Sequence, residues 1–72
     1  MIRYQLPSDL TRDQFHSLVT DLYYELKKNG LDPALNMVMG DQDEVLNDGT
    51  TMTQFAVLIS ESAAKILEHS GY

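Results

Sequence analysis

The alternation of apolar and polar side chains at the start of the chain predicts a short strand. Within residues 2–6, Ile2, Tyr4 and Leu6 alternate with polar side chains, which is the two-residue period of a half-buried strand. Pro7 follows, and because proline lacks the N–H that a sheet ladder requires, it ends the pattern. We therefore expect a strand over residues 2–6.

A period close to 3.6 residues then replaces the alternation and predicts a first helix over residues 12–29. Thr11 and Gln14 have the spacing of a capping box, in which each side chain bonds to the other's backbone. Gly30 suits the position just after a helix, where the backbone turns left-handed. The apolar residues that share one face of this helix are Phe15, Leu18, Val19, Leu22 and Leu26.

A similar opening predicts a second helix over residues 52–69. Thr51 and Gln54 match the capping box again, and Gly71 provides a stop. The apolar positions that fall within one arc are Met52, Phe55, Ala56, Ile59, Ala63, Ile66 and Leu67. The competing interpretation is a buried strand over residues 55–59, where five apolar residues run together; the length of the sustained arc favours the helix.

The middle of the chain allows two interpretations. Asp32 and Pro33 could be the N-cap and first residue of a short helix that runs through Met39. Alternatively, residues 35–39 form a strand that pairs with residues 2–6, and this is favoured because a lone N-terminal strand is not stable. Residues 40–50 are expected to form a polar acidic loop, with Asn47-Asp48-Gly49 as its turn signal.

Together these elements predict a single α+β domain over residues 1–72, in the order strand, helix, strand, helix. The two amphipathic helices, 12–29 and 52–69, would pack on a short sheet. The alternative is an all-α three-helix bundle with a frayed N-terminal arm. A chain of this length forms one domain at most, and 43% apolar residues in a regular pattern exclude a disordered tail.

Charge is distributed unevenly along the chain. The formal net charge is −6, and no Lys or Arg lies between Asn29 and Ala64. The acidic residues of that stretch are Asp32, Asp41, Asp43, Glu44, Asp48 and Glu61. Such a segment repels nucleic acid and anionic membrane, so the expected partner is a protein with a basic surface.

The chain contains no cysteine, which excludes disulfides, cysteine zinc sites and thiol nucleophiles. Neither a secretory signal nor a membrane-spanning apolar stretch is recognisable. These features predict a soluble protein of the cytoplasm, without a membrane partner.

The candidate partner-binding residues fall into three groups. The acidic segment contributes Asp41, Asp43, Glu44 and Asp48; the outer face of the first helix contributes Tyr24, Asp21 and Glu25; and Val57 with Leu58 lies outside the apolar arc of the second helix. The last pair suggests a docking or homodimer patch. A calcium loop with Gly49 at its sixth position would require Leu46 as a ligand, so no metal site and no cofactor are predicted.

No catalytic motif is present, and the two histidines, His16 and His69, have no partner spacing that indicates a catalytic site. The sequence therefore predicts a non-enzymatic, regulatory or inhibitory module that docks an acidic surface on a basic protein, with a nucleic-acid-binding protein as one candidate. The alternatives are a small homo-oligomeric structural subunit and a cation-responsive protein that uses the 41–48 loop.

Overall fold

A computed structural model describes residues 1–72 and contains three helices and a three-stranded sheet. The strands are β1 (Ile2–Arg3), β2 (Met37–Val45) and β3 (Thr51–Ile59), and the helices are α1 (Arg12–Lys28), α2 (Pro33–Asn36) and α3 (Glu61–His69). The α+β class is confirmed, and the sheet excludes the all-helical bundle.

Helix α1 matches its sequence prediction at both ends. The Thr11 hydroxyl accepts from the Gln14 backbone, and the Gln14 side chain accepts from the Thr11 backbone, which completes the capping box. At the other end Gly30 has a φ of 79°. Its N–H donates to Lys27 and that of Leu31 donates to Leu26, the two bonds of a Schellman motif. Local side-chain chemistry is therefore sufficient to set this helix.

The predicted second helix, 52–69, is wrong over its first half. Residues Thr51–Ile59 form β3, and only Glu61–His69 is helical. The N-cap is Ser60, whose hydroxyl accepts from the Ala63 N–H, and not Thr51. Phe55–Ile59 is the strand that the sequence offered as the competing interpretation, and Gly71 ends α3 with a φ of 83°.

The middle segment combines both interpretations. Asp32 caps α2 and Pro33 is its first residue, but the helix stops at Asn36 and strand β2 follows. Residues Gly40–Val45, expected in a loop, belong to that strand. The turn signal was correct: the Gly49 N–H donates to the Leu46 carbonyl, Leu46 donates to Thr50, and Gly49 has a φ of 85°.

The sheet order is β1-β3-β2, with both pairings antiparallel. The expected pairing of the N-terminal strand with residues 35–39 is therefore wrong, because β3 lies between the two. Strand β1 is also shorter than expected and continues only as a single bond from the Tyr4 N–H to Val57. The tight turn at Gly49 joins β2 and β3 into a long hairpin. Because β2 pairs with β3, the N-terminal strand is left to pair with the other edge of β3.

The hydrophobic core lies at one end of the molecule. It consists of Phe15, Val19, Leu22, Leu26, Val57, Ile59, Ala63 and Leu67. These residues come from α1, α3 and the last part of β3, so both longer helices cover the same face of the sheet. Every residue from Val38 to Met52 is exposed, and no helix covers the far half of the hairpin.

Candidate functional site

The most prominent surface feature is the far half of the β2–β3 hairpin, residues 41–55, which we call the hairpin arm. The molecule measures 46 × 20 × 17 Å, and its radius of gyration is 13.6 Å, whereas a compact chain of this length would have about 11 Å. The arm carries four carboxylates and no basic side chain. It is therefore an exposed, negatively charged extension of a small core.

Helix α1 anchors the base of the arm through two side chains. The Phe15 ring stacks on Phe55 with centroids 4.4 Å apart. The Arg12 guanidinium donates to the Asp41 carboxylate and lies 5.8 Å from the centroid of the Phe55 ring. Since Asp41 and Phe55 are cross-strand neighbours, this contact joins α1 to both strands at one point.

The four carboxylates of the arm do not share one face. Strand alternation places Asp41 and Asp43 on the helix-facing side of the hairpin, together with Phe55 and Val57. Glu44 lies on the opposite, outer side, and Asp48 lies in the turn at the tip. The acidic surface therefore surrounds the arm and does not form a flat patch.

The three carboxylates other than Asp41 each have a hydrogen-bond partner within the arm. Thr53 Oγ1 donates to Asp43 at 2.7 Å, and Gln54 Nε2 donates to Glu44 at 3.0 Å. Asp48 accepts from both the hydroxyl and the N–H of Thr50, at 2.6 and 3.0 Å. These donors are neutral, so the contacts orient the carboxylates and leave their charge uncompensated.

Hydrogen bonding also affects the acidity of two of these groups. The Arg12 guanidinium, by hydrogen bond and by charge, holds the pKa of Asp41 below its ordinary value. Hydrogen bonds from Thr50 likewise lower the pKa of Asp48. Both carboxyl groups therefore stay ionised to a lower pH than an unpaired aspartate.

The candidate residues of α1 lie away from the arm. Tyr24 is 63% exposed and packs edge-on against Tyr23. It is twelve residues beyond Arg12, which is about 18 Å along the helix axis. Asp21 is exposed, whereas Glu25 is half-buried and accepts from the Ser70 hydroxyl at 2.6 Å. Glu25 therefore fastens α1 to the end of α3.

The side chains of Val57 and Leu58 lie on opposite faces of the sheet. Val57 is fully buried in the core, while Leu58 is 38% exposed on the outer face, beside its cross-strand partners Arg3 and Val38. The pair does not form a patch on a helix, because it belongs to β3. Leu58 alone of the two is available to a partner.

The geometry offers no converging set of metal ligands. No group of three or more Asp, Glu or His side chains lies close enough together to hold a metal ion. His16 and His69 are both exposed, and His69 lies in the last turn of α3. None of the helices is long and apolar enough to cross a membrane.

Comparison with known proteins gives one short match. The family model for the Spa2 homology domain (SHD) of GIT matches residues 8–27. The matched segment contains the N-cap and most of α1 but none of the hairpin arm. No curated protein and no solved structure matches the chain. The match covers well under half of the sequence, so it is a likeness of one helix.

Sequence reasoning missed Arg12 and the free edge of β2. Arg12 is 29 residues from Asp41 in sequence, and no local pattern links the two. The hairpin itself had a signal, because Asn47-Asp48-Gly49 lies midway between two nine-residue strands. A hairpin interpretation of that turn would have identified the pairing of β2 with β3.

Proposed function

We propose that this protein is a non-enzymatic interaction module that docks its hairpin arm on a basic surface of a partner protein, with a regulatory or inhibitory effect. The observation that carries the proposal is the arm itself. It extends beyond the core, every residue from Val38 to Met52 is exposed, and it contains acidic but no basic side chains.

Electrostatics supports a basic partner in particular. Of the four carboxylates, only Asp41 is paired with a cation, and Asp43, Glu44 and Asp48 have neutral donors. Uncompensated charge on a narrow projection attracts a positively charged cleft and accelerates encounter with it. A nucleic-acid-binding groove is one such cleft, and an acidic arm inserted there would compete with phosphates.

The short family match does not bear on the arm, because it lies within α1 and the turn before it. It supports an additional role for that helix, whose outer face presents Tyr24 and Asp21. Exposed tyrosine is a frequent anchor in protein interfaces. We therefore assign the arm as the main docking element and the outer face of α1 as a second contact.

The test compares two charge-matched variants. In the arm variant, Asp41→Asn, Asp43→Asn, Glu44→Gln and Asp48→Asn remove four negative charges and keep the shape of each side chain. The control variant removes four exposed charges outside the arm and outside the outer face of α1, with Asp9→Asn, Asp32→Asn, Glu61→Gln and Glu68→Gln. Both proteins have the same altered net charge, so any difference between them reflects the position of the charges.

Partners captured from the native host by the unmodified protein are then titrated with each variant at increasing salt. We expect the arm variant to bind at least about tenfold more weakly and to lose most of the salt dependence. The control variant should retain both. Equal binding by the unmodified protein and the arm variant would remove the proposal.

A further inference from the structure

The outer edge of β2 presents free backbone groups. Two hydrogen bonds fix the phase of the hairpin: Leu46 N–H to Thr50 O at 2.8 Å, and Ser60 N–H to Asn36 O at 3.0 Å. Bonded and non-bonded pairs alternate along an antiparallel ladder. The even-numbered residues of β2 therefore bond to β3, and the odd-numbered residues direct their N–H and C=O groups outward.

Four consecutive odd positions are open. The backbones of Met39, Asp41, Asp43 and Val45 take part in none of the hydrogen bonds that form outside the helices and strands, the ladder directs them away from β3, and all four residues are exposed. Met37 is different, because it is the C-cap of α2 and its N–H donates to the carbonyl of Pro33, the first residue of that helix. An unpaired edge of this length is a template for another strand.

Edges of natural sheets are usually blocked by proline, a bulge or inward charges. Strand β2 has no proline, and its register with β3 is continuous from Met37 to Val45. The side chains along the helix-facing side of this edge read Met39, Asp41, Asp43, Val45. Asp41 and Asp43 are inward charges of this kind, so the edge disfavours a strand with acidic or apolar side chains opposite them and remains available to one that places cations there.

That charge disfavours a second copy of the chain as the occupant. Antiparallel pairing of two β2 edges about Asp41 would place the two Asp41 carboxylates directly opposite each other. Parallel pairing in register would align each carboxylate with its own counterpart. Like charges directly opposite destabilise a sheet, so self-association through this edge is disfavoured.

We propose that the β2 edge accepts an extended segment of a partner protein as an added strand, with Lys or Arg opposite Asp41 and Asp43 and apolar side chains opposite Met39 and Val45. The proposal rests on the docking role of the arm and specifies its mode. In strand addition, main-chain hydrogen bonds supply affinity and alternate side chains supply selectivity. Here the side chains that would select the partner follow the order apolar, acidic, acidic, apolar along the edge.

The probe is a nine-residue peptide with blocked ends and the sequence Thr-Val-Thr-Lys-Thr-Lys-Thr-Val-Thr. It reads identically in both directions, so it presents the required pattern to a parallel or an antiparallel partner. A control peptide carries N-methyl groups on its two lysines and on the threonine between them, which keeps its charge but removes donors that would face β2 in either strand direction. A second control contains the same residues with the lysines adjacent at one end.

Amide exchange measured by NMR on the full chain provides the readout. We expect the probe to slow exchange at Met39, Asp41, Asp43 and Val45 by at least about tenfold, because these N–H groups gain acceptors. The even-numbered amides of β2 are already bonded and serve as an internal control. Both control peptides should bind at least about tenfold more weakly than the probe.

Two protein variants separate charge from strand addition. The double variant Asp41→Asn, Asp43→Asn should bind the probe more weakly than the double variant Glu44→Gln, Asp48→Asn, although each removes two charges. In Met39→Pro all four carboxylates remain but one outward N–H is lost. Since that N–H faces away from β3, the hairpin should persist while probe binding falls.

Each alternative has its own signature. If the N-methylated peptide binds as well as the probe, while removal of the acidic residues weakens both, docking occurs by charge alone. That result overturns strand addition and leaves the proposed function intact. Absence of binding by any peptide also overturns it, with the captured-partner titration still deciding the function. A dimer with protected odd-numbered amides in the absence of peptide would assign the edge to a second copy.

Discussion

Arg12 is the residue on which the position of the arm depends most directly. It is the first residue of α1, it pairs with Asp41, and its guanidinium lies over Phe55. The neighbouring Thr11 and Gln14 were assigned from sequence because a capping box is complete within four residues. The Arg12–Asp41 pair spans 29 positions, so only the folded sheet brings its members together.

The lowered pKa of Asp41 makes the effect of Arg12 on stability depend on pH. A carboxyl group whose pKa is lower in the folded state than in the unfolded state stabilises the protein at any pH above the unfolded-state pKa. This contribution is lost as the pH falls through the folded-state pKa. We expect Arg12→Gln to lower the thermal midpoint at pH 7. The difference should disappear well below 3.8, the ordinary value for the group.

Thermal unfolding followed by circular dichroism at both pH values measures this effect. Asp41→Asn serves as the partner control, and the double variant should be no less stable than either single variant, because both remove the same interaction. A loss of stability in Arg12→Gln that is equal at neutral and acidic pH would assign the effect to packing against Phe55 and not to the ion pair.

At the scale of elements, the boundary between β3 and α3 shows why the second helix was misassigned. Thr51 and Gln54 match a capping box, and the apolar residues that follow fit a helical arc. The same residues also fit a strand with Phe55, Val57 and Ile59 inward and Leu58 outward. The turn at Gly49 resolves the ambiguity, because it aligns β3 with β2 over nine pairs.

Two serine and threonine substitutions distinguish the two possible helix starts. Ser60→Ala removes the hydroxyl that accepts from Ala63 and donates to Asn36 Oδ1 at 2.8 Å. We expect it to lower the free energy of unfolding by about 1 kcal/mol, the usual contribution of an N-cap. Thr51→Ala should change it by less than about 0.5 kcal/mol, because Thr51 is an exposed strand residue.

Urea denaturation of the two variants beside the unmodified protein provides the measurement. A larger loss in Thr51→Ala than in Ser60→Ala would contradict the strand assignment and restore a helix that begins at residue 52.

At the scale of the whole molecule, the buried core lies at one end and the exposed hairpin arm at the other. The fully buried side chains belong to α1, α3 and the end of β3, while the arm depends on hairpin bonds and its base contacts with Arg12 and Phe15. An isolated two-stranded hairpin is marginally stable in water. The α+β class was predictable because two amphipathic segments require a shared core, but the shape was not, because no local pattern indicates how far a hairpin extends.

This division predicts two levels of amide exchange. Amides of the arm should exchange through local opening, and those of α1 near Leu22 only through global unfolding. Leu22→Ala should lower the global free energy of unfolding by about 2–5 kcal/mol, because Leu22 is fully buried. Exchange in α1 should then accelerate strongly, while exchange in the arm remains nearly unchanged.

Hydrogen exchange followed residue by residue tests this division. A uniform acceleration of the arm and α1 in Leu22→Ala would indicate a single cooperative unit, in which the hairpin opens only when the core does.

The turn at Asn47-Asp48-Gly49 gives the molecule a convenient site for engineering. It lies at the far end of the long axis, and its residues are exposed. Loop tips of this kind tolerate insertions because the backbone they interrupt is little buried. A fluorophore attached at Asn47, which leaves Gly49 and its left-handed backbone in place, could therefore monitor the docking end of the protein in solution while the hydrophobic core stays undisturbed.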